Sequence, residues 1–160
     1  MTLREPAHQV SRRAPAYWRT TAAIQAGVVV VLIAVAYTLV PEHPWWMHPV
    51  ALAVLALSLV PVVVMPGLRY RIHRWELGEE AVFTRAGWLT RDQRIAPLSR
   101  VQTVDSHQGA LMRLYGLSSV TVTTASAAGP ISIDCLDEEV AHRLVADLTD
   151  RTAATEGDAT

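Results

Sequence analysis

The chain has 160 residues, 51% of them hydrophobic, and a formal net charge of −1. Residues 67–160 carry ten Arg against thirteen Asp and Glu, a balance opposite to that of a nucleic-acid-binding domain. The single cysteine, Cys135, excludes an internal disulfide and a cysteine-rich metal site.

Residues 1–20 hold four Arg and one Glu, a net of +3, and read as an N-terminal cytoplasmic segment. The apolar run Thr21–Val40 follows, with ten Ile, Leu and Val and no charged residue. At about 1.5 Å per residue its helix is about 30 Å long, the thickness of a bilayer's hydrocarbon core. A second charge-free run, Val50–Met65, is shorter. Extended back to Trp46 it spans about 46–65, and Trp45 and Trp46 then suit the outer interface, as Tyr17 and Trp18 suit the inner one. The connecting segment Pro41–Pro49 has no Arg. Arg4, Arg12, Arg13 and Arg19 precede the first run, and Arg69, Arg71 and Arg74 follow the second. This asymmetry predicts a transmembrane hairpin over 21–66 with both termini cytoplasmic. Pro61 removes one helical hydrogen bond near the inner end and predicts a bend there. Neither apolar run, Thr21–Val40 or Val50–Met65, contains an Asp, Glu, Lys, Arg or His of the kind that ion and proton pathways use.

Pro66-Gly67 ends the second helix, and a cytoplasmic domain over 67–151 follows. Its segments are short and extended: Tyr70–Leu77, Ala81–Arg85, Trp88–Ile95, Arg100–Asp105, Ser119–Thr124 and Ile131–Leu136. Turns are expected at Gly78-Glu79-Glu80, Ala86-Gly87 and Ala127–Pro130. Val120 and Val122 alternate with Thr121 and Thr123, and Ile131, Ile133 and Cys135 alternate with Ser132 and Asp134, as in half-buried strands. Cys135 therefore reads as a small core residue. Gly116 follows Leu111–Tyr115 as a helix-ending glycine would, so Gly109–Gly116 reads as a short helical turn. A final helix over Asp137–Arg151 has a capping Asp137, Glu138 and Glu139 in its first turn, and the apolar stripe Val140, Ala141, Leu144, Val145, Leu148. Thr152–Thr160 is small and polar and reads as a disordered tail. Six or so antiparallel strands with one amphipathic helix imply a curved sheet or open barrel plugged by that helix.

The motif Pro97-Leu98-Ser99-Arg100-Val101-Gln102-Thr103-Val104, then Gln108-Gly109, then Met112-Arg113-Leu114-Tyr115-Gly116-Leu117 resembles the bacterial pleckstrin-homology-like family of membrane proteins. Members of that family commonly place one such domain after a two-helix hairpin, and the match covers residues 70–150. The resemblance implies a PH-like fold of about seven antiparallel strands capped by a C-terminal helix, no known enzymatic chemistry, no cofactor and a tendency to oligomerise. Within the motif, Arg100, Gln102, Gln108 and Arg113 either meet a partner on an exposed loop face or hydrogen-bond the backbone of an irregular connection.

No catalytic or metal constellation emerges. Asp105-Ser106-His107 lacks triad geometry, because along a strand Ser106 faces away from the other two. His43 and His48 flank the outer tryptophans without a supporting carboxylate cluster. The sequence thus predicts a non-enzymatic protein of the bacterial cytoplasmic membrane. Its domain is expected to be an assembly module whose partners are further copies of itself or another membrane protein with related domains. The alternative is sensing of anionic membrane lipids through Arg69, Arg71 and Arg74, each worth about 1 kcal/mol at the headgroups.

Overall fold

Helix α1 (Ala14–Leu39) opens with Pro15 in its first turn, where the missing N–H costs nothing, and continues through the first apolar run. It starts seven residues earlier than the hydropathy alone suggested. The second run forms α2 (Met47–Val63), with Pro61 inside it, and then α3 (Met65–Ile72). Ala14–Leu39 and Met47–Ile72 are each long and apolar enough to cross a membrane, and only 11% and 6% of their most apolar windows are buried. A soluble protein's core helix would be buried at those positions. The stretch Tyr70–Ile72 was expected as the start of a strand. It is instead the end of α3, and extended structure begins only at Arg74.

The structure is a computed structural model that describes residues 5–126 and 129–157. It divides into two units, one formed by Pro15–Leu68 and the other by the residues up to Ala14 together with those from Arg69 onward. In the first unit the outer turn is tied by polar contacts. The Tyr37 hydroxyl lies 3.0 Å from His48 Nδ1, and His43 Nε2 lies 3.0 Å from the Tyr37 carbonyl. Trp45 is 83% exposed there. Trp18, expected at the opposite interface, is instead buried, on a stripe with Ala14, Ala22 and Ala26.

The second unit holds seven antiparallel strands in two sheets. The first sheet has the order β1 (His8–Gln9), β2 (Arg74–Leu77), β3 (Ala81–Gly87), β4 (Arg91–Pro97). A 3-10 turn, Leu98–Arg100, leads to the second sheet: β5 (Val101–His107), β6 (Leu117–Thr124), β7 (Ile131–Asp137), with helix α4 (Ala110–Leu114) between β5 and β6. The β3–β4 turn falls at residues 88–90, later than expected. Gly87 stands at its edge with φ +128, and a Cβ there would lie 1.9 Å from the Thr90 carbonyl oxygen. The expected turn over Ala127–Pro130 lies partly outside the described residues.

Helix α5 (Glu138–Gly157) covers both sheets. Ala141, Leu144 and Leu148, at the spacing of one helix face, are buried with Val82 and Ala96 of the first sheet and Val120, Val122, Ile131 and Ile133 of the second. Burying an aliphatic side chain of this size contributes about 1.5–3 kcal/mol, so this cluster is the main source of stability. The helix runs on to Gly157 where a disordered tail had been expected from Thr152. Ala153 and the hydroxyl of Thr152, bonded to the Leu148 carbonyl at 2.9 Å, continue the helix without an apolar stripe. Residues 158–160 lie outside the described residues. Asp137, expected as the helix cap, accepts a hydrogen bond from the Ser11 hydroxyl at 2.7 Å instead.

That contact belongs to an N-terminal strap unforeseen in the sequence. His8 pairs with Trp75 and Gln9 with Arg74, so β1 completes the first sheet. Two residues later the Ser11 N–H donates to the Cys135 carbonyl at 3.0 Å, on the second sheet. Cys135 sits at a register shift of β7 against β6 and has φ +59. A left-handed backbone on a non-glycine residue costs about 1–2 kcal/mol. Replacing Ser11 by Ala is expected to lower unfolding stability by about 1.5–3 kcal/mol, as for a lost hydrogen bond to a charged acceptor, measured by chemical denaturation of the full chain in micelles. The Cys135→Ala variant should lie within about 1 kcal/mol of the parent. Cys135→Val, though more apolar, should be clearly less stable, because a β-branched side chain is disfavoured at φ +59.

Candidate functional site

The four motif residues do not form one face. Arg100 closes the 3-10 turn at the start of β5, and its carbonyl accepts the Ala125 N–H at 3.0 Å. Gln108 follows the far end of β5. Seven strand residues at about 3.3 Å each put roughly 23 Å between these ends. Gln102 is exposed at the register shift between Val101 and Thr103. Gln108 Nε2 donates to the Leu117 carbonyl at 3.0 Å, a backbone bond across the connection around α4. Arg113 is exposed on α4, and Gly116 closes that helix with φ +62. Thr103 Oγ1 and Asp105 Oδ2 are 3.2 Å apart, as expected of alternate residues sharing one strand face. Among the described residues there is no cluster of three or more His, Cys, Asp or Glu that could hold a metal ion.

Arg69, Arg71 and Arg74 occupy three different environments. Arg69, on α3, donates from Nε to His73 Nε2 at 3.3 Å and lies 3.7 Å from Asp134 in an ion pair. Arg71 is exposed. Arg74 is half-buried in β2, and its Nε is buried without an acceptor. The three therefore do not present a common cationic face.

A different group does converge. The strap residues Gln9–Arg13 border a groove of about 580 Å³ with Tyr70, Leu136, Asp137 and Val140 on its other walls. Arg12 and Arg13 are exposed at its rim. Arg13 Nη1 reaches the Tyr115 carbonyl at 3.4 Å, while Ser11 Oγ accepts the Arg13 N–H at 3.1 Å and so turns the strap. The strap is held further by Glu5, whose carboxylate meets Arg85 Nη1 at 2.6 Å, and by the Ala7 N–H on Glu76 Oε2 at 3.0 Å. The hydrogen bond and charge of Arg85 hold Glu5 below the usual carboxylate range. Sequence reasoning missed this site. Its only local signal was Ser11-Arg12-Arg13, which matched the general basic flank of a first span.

His73 is buried, and its pKa lies below the ordinary histidine value, chiefly through desolvation and then through the neighbouring Arg69 charge. Nδ1 stands 3.0 Å from the Arg69 carbonyl and Nε2 accepts from Arg69 Nε, the pattern of a neutral ring with its proton on Nδ1. The unfolded chain takes up this proton below about pH 6.5, whereas the folded chain resists it. Stability should therefore be full above that pH and fall as the pH drops through the depressed folded value. Melting curves between pH 7.5 and 5 should show this decline in the parent and a flatter dependence in His73→Gln.

The comparisons agree with this architecture. Residues 20–152 match the bacterial PH domain family. The transmembrane protein YdbS of Bacillus subtilis (strain 168) is 34% identical over 143 residues, covering 88% of this chain and 89% of its own length. No solved structure matches the chain. With two membrane-length helices and the seven-stranded, helix-capped unit in place, the chain belongs to the bacterial PH domain family.

Proposed function

We propose that this chain is a two-pass protein of the bacterial cytoplasmic membrane whose PH-like unit is a non-enzymatic assembly module. In this reading it joins a second copy or a related membrane protein. The two-pass topology with both ends on one side is supported by the β1–β2 ladder. Gln9 lies before the first apolar helix and Arg74 after the second, yet they are partners in one sheet. If both helices cross the bilayer, the start of the first and the end of the second must lie on the same side. The Arg flanks favour the cytoplasm for that side.

The observation that carries the assembly reading is the free edge of β5. Among the described residues β1, β4, β5 and β7 are outer strands; β1 has only two residues, and β7 is met by the strap at the Cys135 carbonyl. The β4 edge is blunted by Arg91, Asp92 and Arg94, whereas β5 carries one acidic residue, Asp105, and no Lys or Pro over seven residues. Such an edge offers unpaired backbone N–H and C=O groups to an incoming strand. Confinement to a membrane plane raises the effective concentration of such partners without any further contact. Lipid recognition by Arg69, Arg71 and Arg74 has weaker support, because their side chains lie in separate environments.

The test is disulfide crosslinking in native membranes, on a Cys135→Ala background with single cysteines at Thr103, Asp105 or, as control, Arg91. A crosslinked species is expected from Thr103→Cys and Asp105→Cys at several times the control yield, and Thr103→Lys should reduce self-association measured by energy transfer. Equal yields at all three positions would remove β5 as the contact edge.

A further inference from the structure

We propose that the strap groove is a binding site for a phosphate-bearing group, with Arg12 and Arg13 as its cationic rim and Tyr70 on the facing wall. The groove's volume of about 580 Å³ falls within the range of sites that enclose small ligands. Val140 supplies an apolar side, backed by the buried Leu136, so the site is amphipathic. Guanidinium groups on one side and aliphatic surface on the other fit a phosphodiester attached to an apolar or glycerol-like body. Gln9, exposed on the same rim, adds an amide donor.

Asp137 is the one acidic residue in the lining and would oppose an anion, but its carboxylate accepts the Ser11 hydroxyl at 2.7 Å. Two arginines against one carboxylate leave the lining at +1. The Arg13 backbone is fixed by its N–H bond to Ser11 Oγ, so the rim arginine is carried on an ordered turn. Among the described residues the Arg12 side chain makes no hydrogen bond or ion pair, so its exposed guanidinium can meet a ligand. Chain connectivity adds a further constraint. Arg13 is the residue before α1, and Tyr70 lies in α3, within the second membrane-length stretch Met47–Ile72. The shared chemistry is phosphate, borne by an anionic lipid headgroup or by a soluble phosphate compound. This site is independent of the β5 edge and of the assembly reading.

The experiment uses the full chain in nanodiscs of phosphatidylcholine alone, and compares three additions by thermal melting: phosphatidylglycerol as about a third of the lipid, inorganic phosphate at matched ionic strength, and chloride. A ligand that binds only the folded state raises the melting temperature, here by about 2–4 °C near saturation. With phosphatidylglycerol this rise is expected in the parent and in Arg91→Gln, an arginine outside the groove lining, and lost in Arg12→Gln. Arg13→Lys, which keeps the charge, should retain part of it. A rise with inorganic phosphate as well assigns recognition to the phosphate group itself, and a rise with phosphatidylglycerol alone assigns it to the lipid. Equal rises in the parent and Arg12→Gln, equal losses in Arg12→Gln and Arg91→Gln, or no rise with either anion would overturn the site.

Discussion

One backbone ladder of two residue pairs constrains the whole chain. His8–Trp75 and Gln9–Arg74 join residues that are separated in sequence by both apolar helices. The hairpin is thus an insertion between the first and second strands of one domain, not an anchor attached to its end. Closing a loop of this length costs only a slowly growing entropy, about 0.6 kcal/mol for each doubling. Two ladder pairs alone offset little of that, so the strap depends on its other attachments: Glu5 on Arg85, Ala7 on Glu76, and Ser11 on Cys135 and Asp137.

The attachment at Ser11 is made possible by a kink in β7. Where Cys135 enters the left-handed region, the ladder to β6 slips by one residue, and the Cys135 carbonyl meets the strap. The same segment therefore touches both sheets: β1 extends the first, and Ser11 bonds to the second. The strain at Cys135 and the order of the strap are two sides of one arrangement. A regular β7 would leave the carbonyl in its own ladder and the Ser11 N–H without that acceptor.

The strands read most easily were those whose alternation is set by the core. Val120 and Val122 against Thr121 and Thr123 gave β6, and Ile131 and Ile133 gave most of β7, because one face of each is buried against α5. The two apolar runs gave the helices for the same reason of composition. By contrast, β1 consists of an exposed His and Gln, and no local pattern marks a strand whose existence depends on a partner 65 residues away. The seventh strand implied by the family resemblance is β1, which lies before the hairpin and outside the six segments read from the sequence. Tyr70–Ile72 has the alternation of a strand but is wound into α3, where continuation from the preceding helical turns outweighs local propensity. Gln108 was legible as a candidate but not its bond to the Leu117 carbonyl, since a glutamine that fastens a loop and one that meets a partner have the same sequence signature.

The sites differ in legibility for a related reason. Arg69, Arg71 and Arg74 are close in sequence, but a helix end followed by a strand start sends them to an ion pair, the solvent and a half-buried position. Arg12 and Tyr70 are 58 positions apart, yet both line one groove because the strap returns to the domain that follows the hairpin. Of the two arginine clusters along the chain, Arg12-Arg13 stays together on one rim, whereas Arg69, Arg71 and Arg74 disperse. The two rim cations are neighbours in sequence, and the long-range ladder supplies the opposite walls by placing the segment before the first helix against the segment after the second. Loss of that ladder would remove the groove while leaving the arginine-rich flanks of both helices intact, so topology and ligand recognition rest on different physical features of the same basic residues.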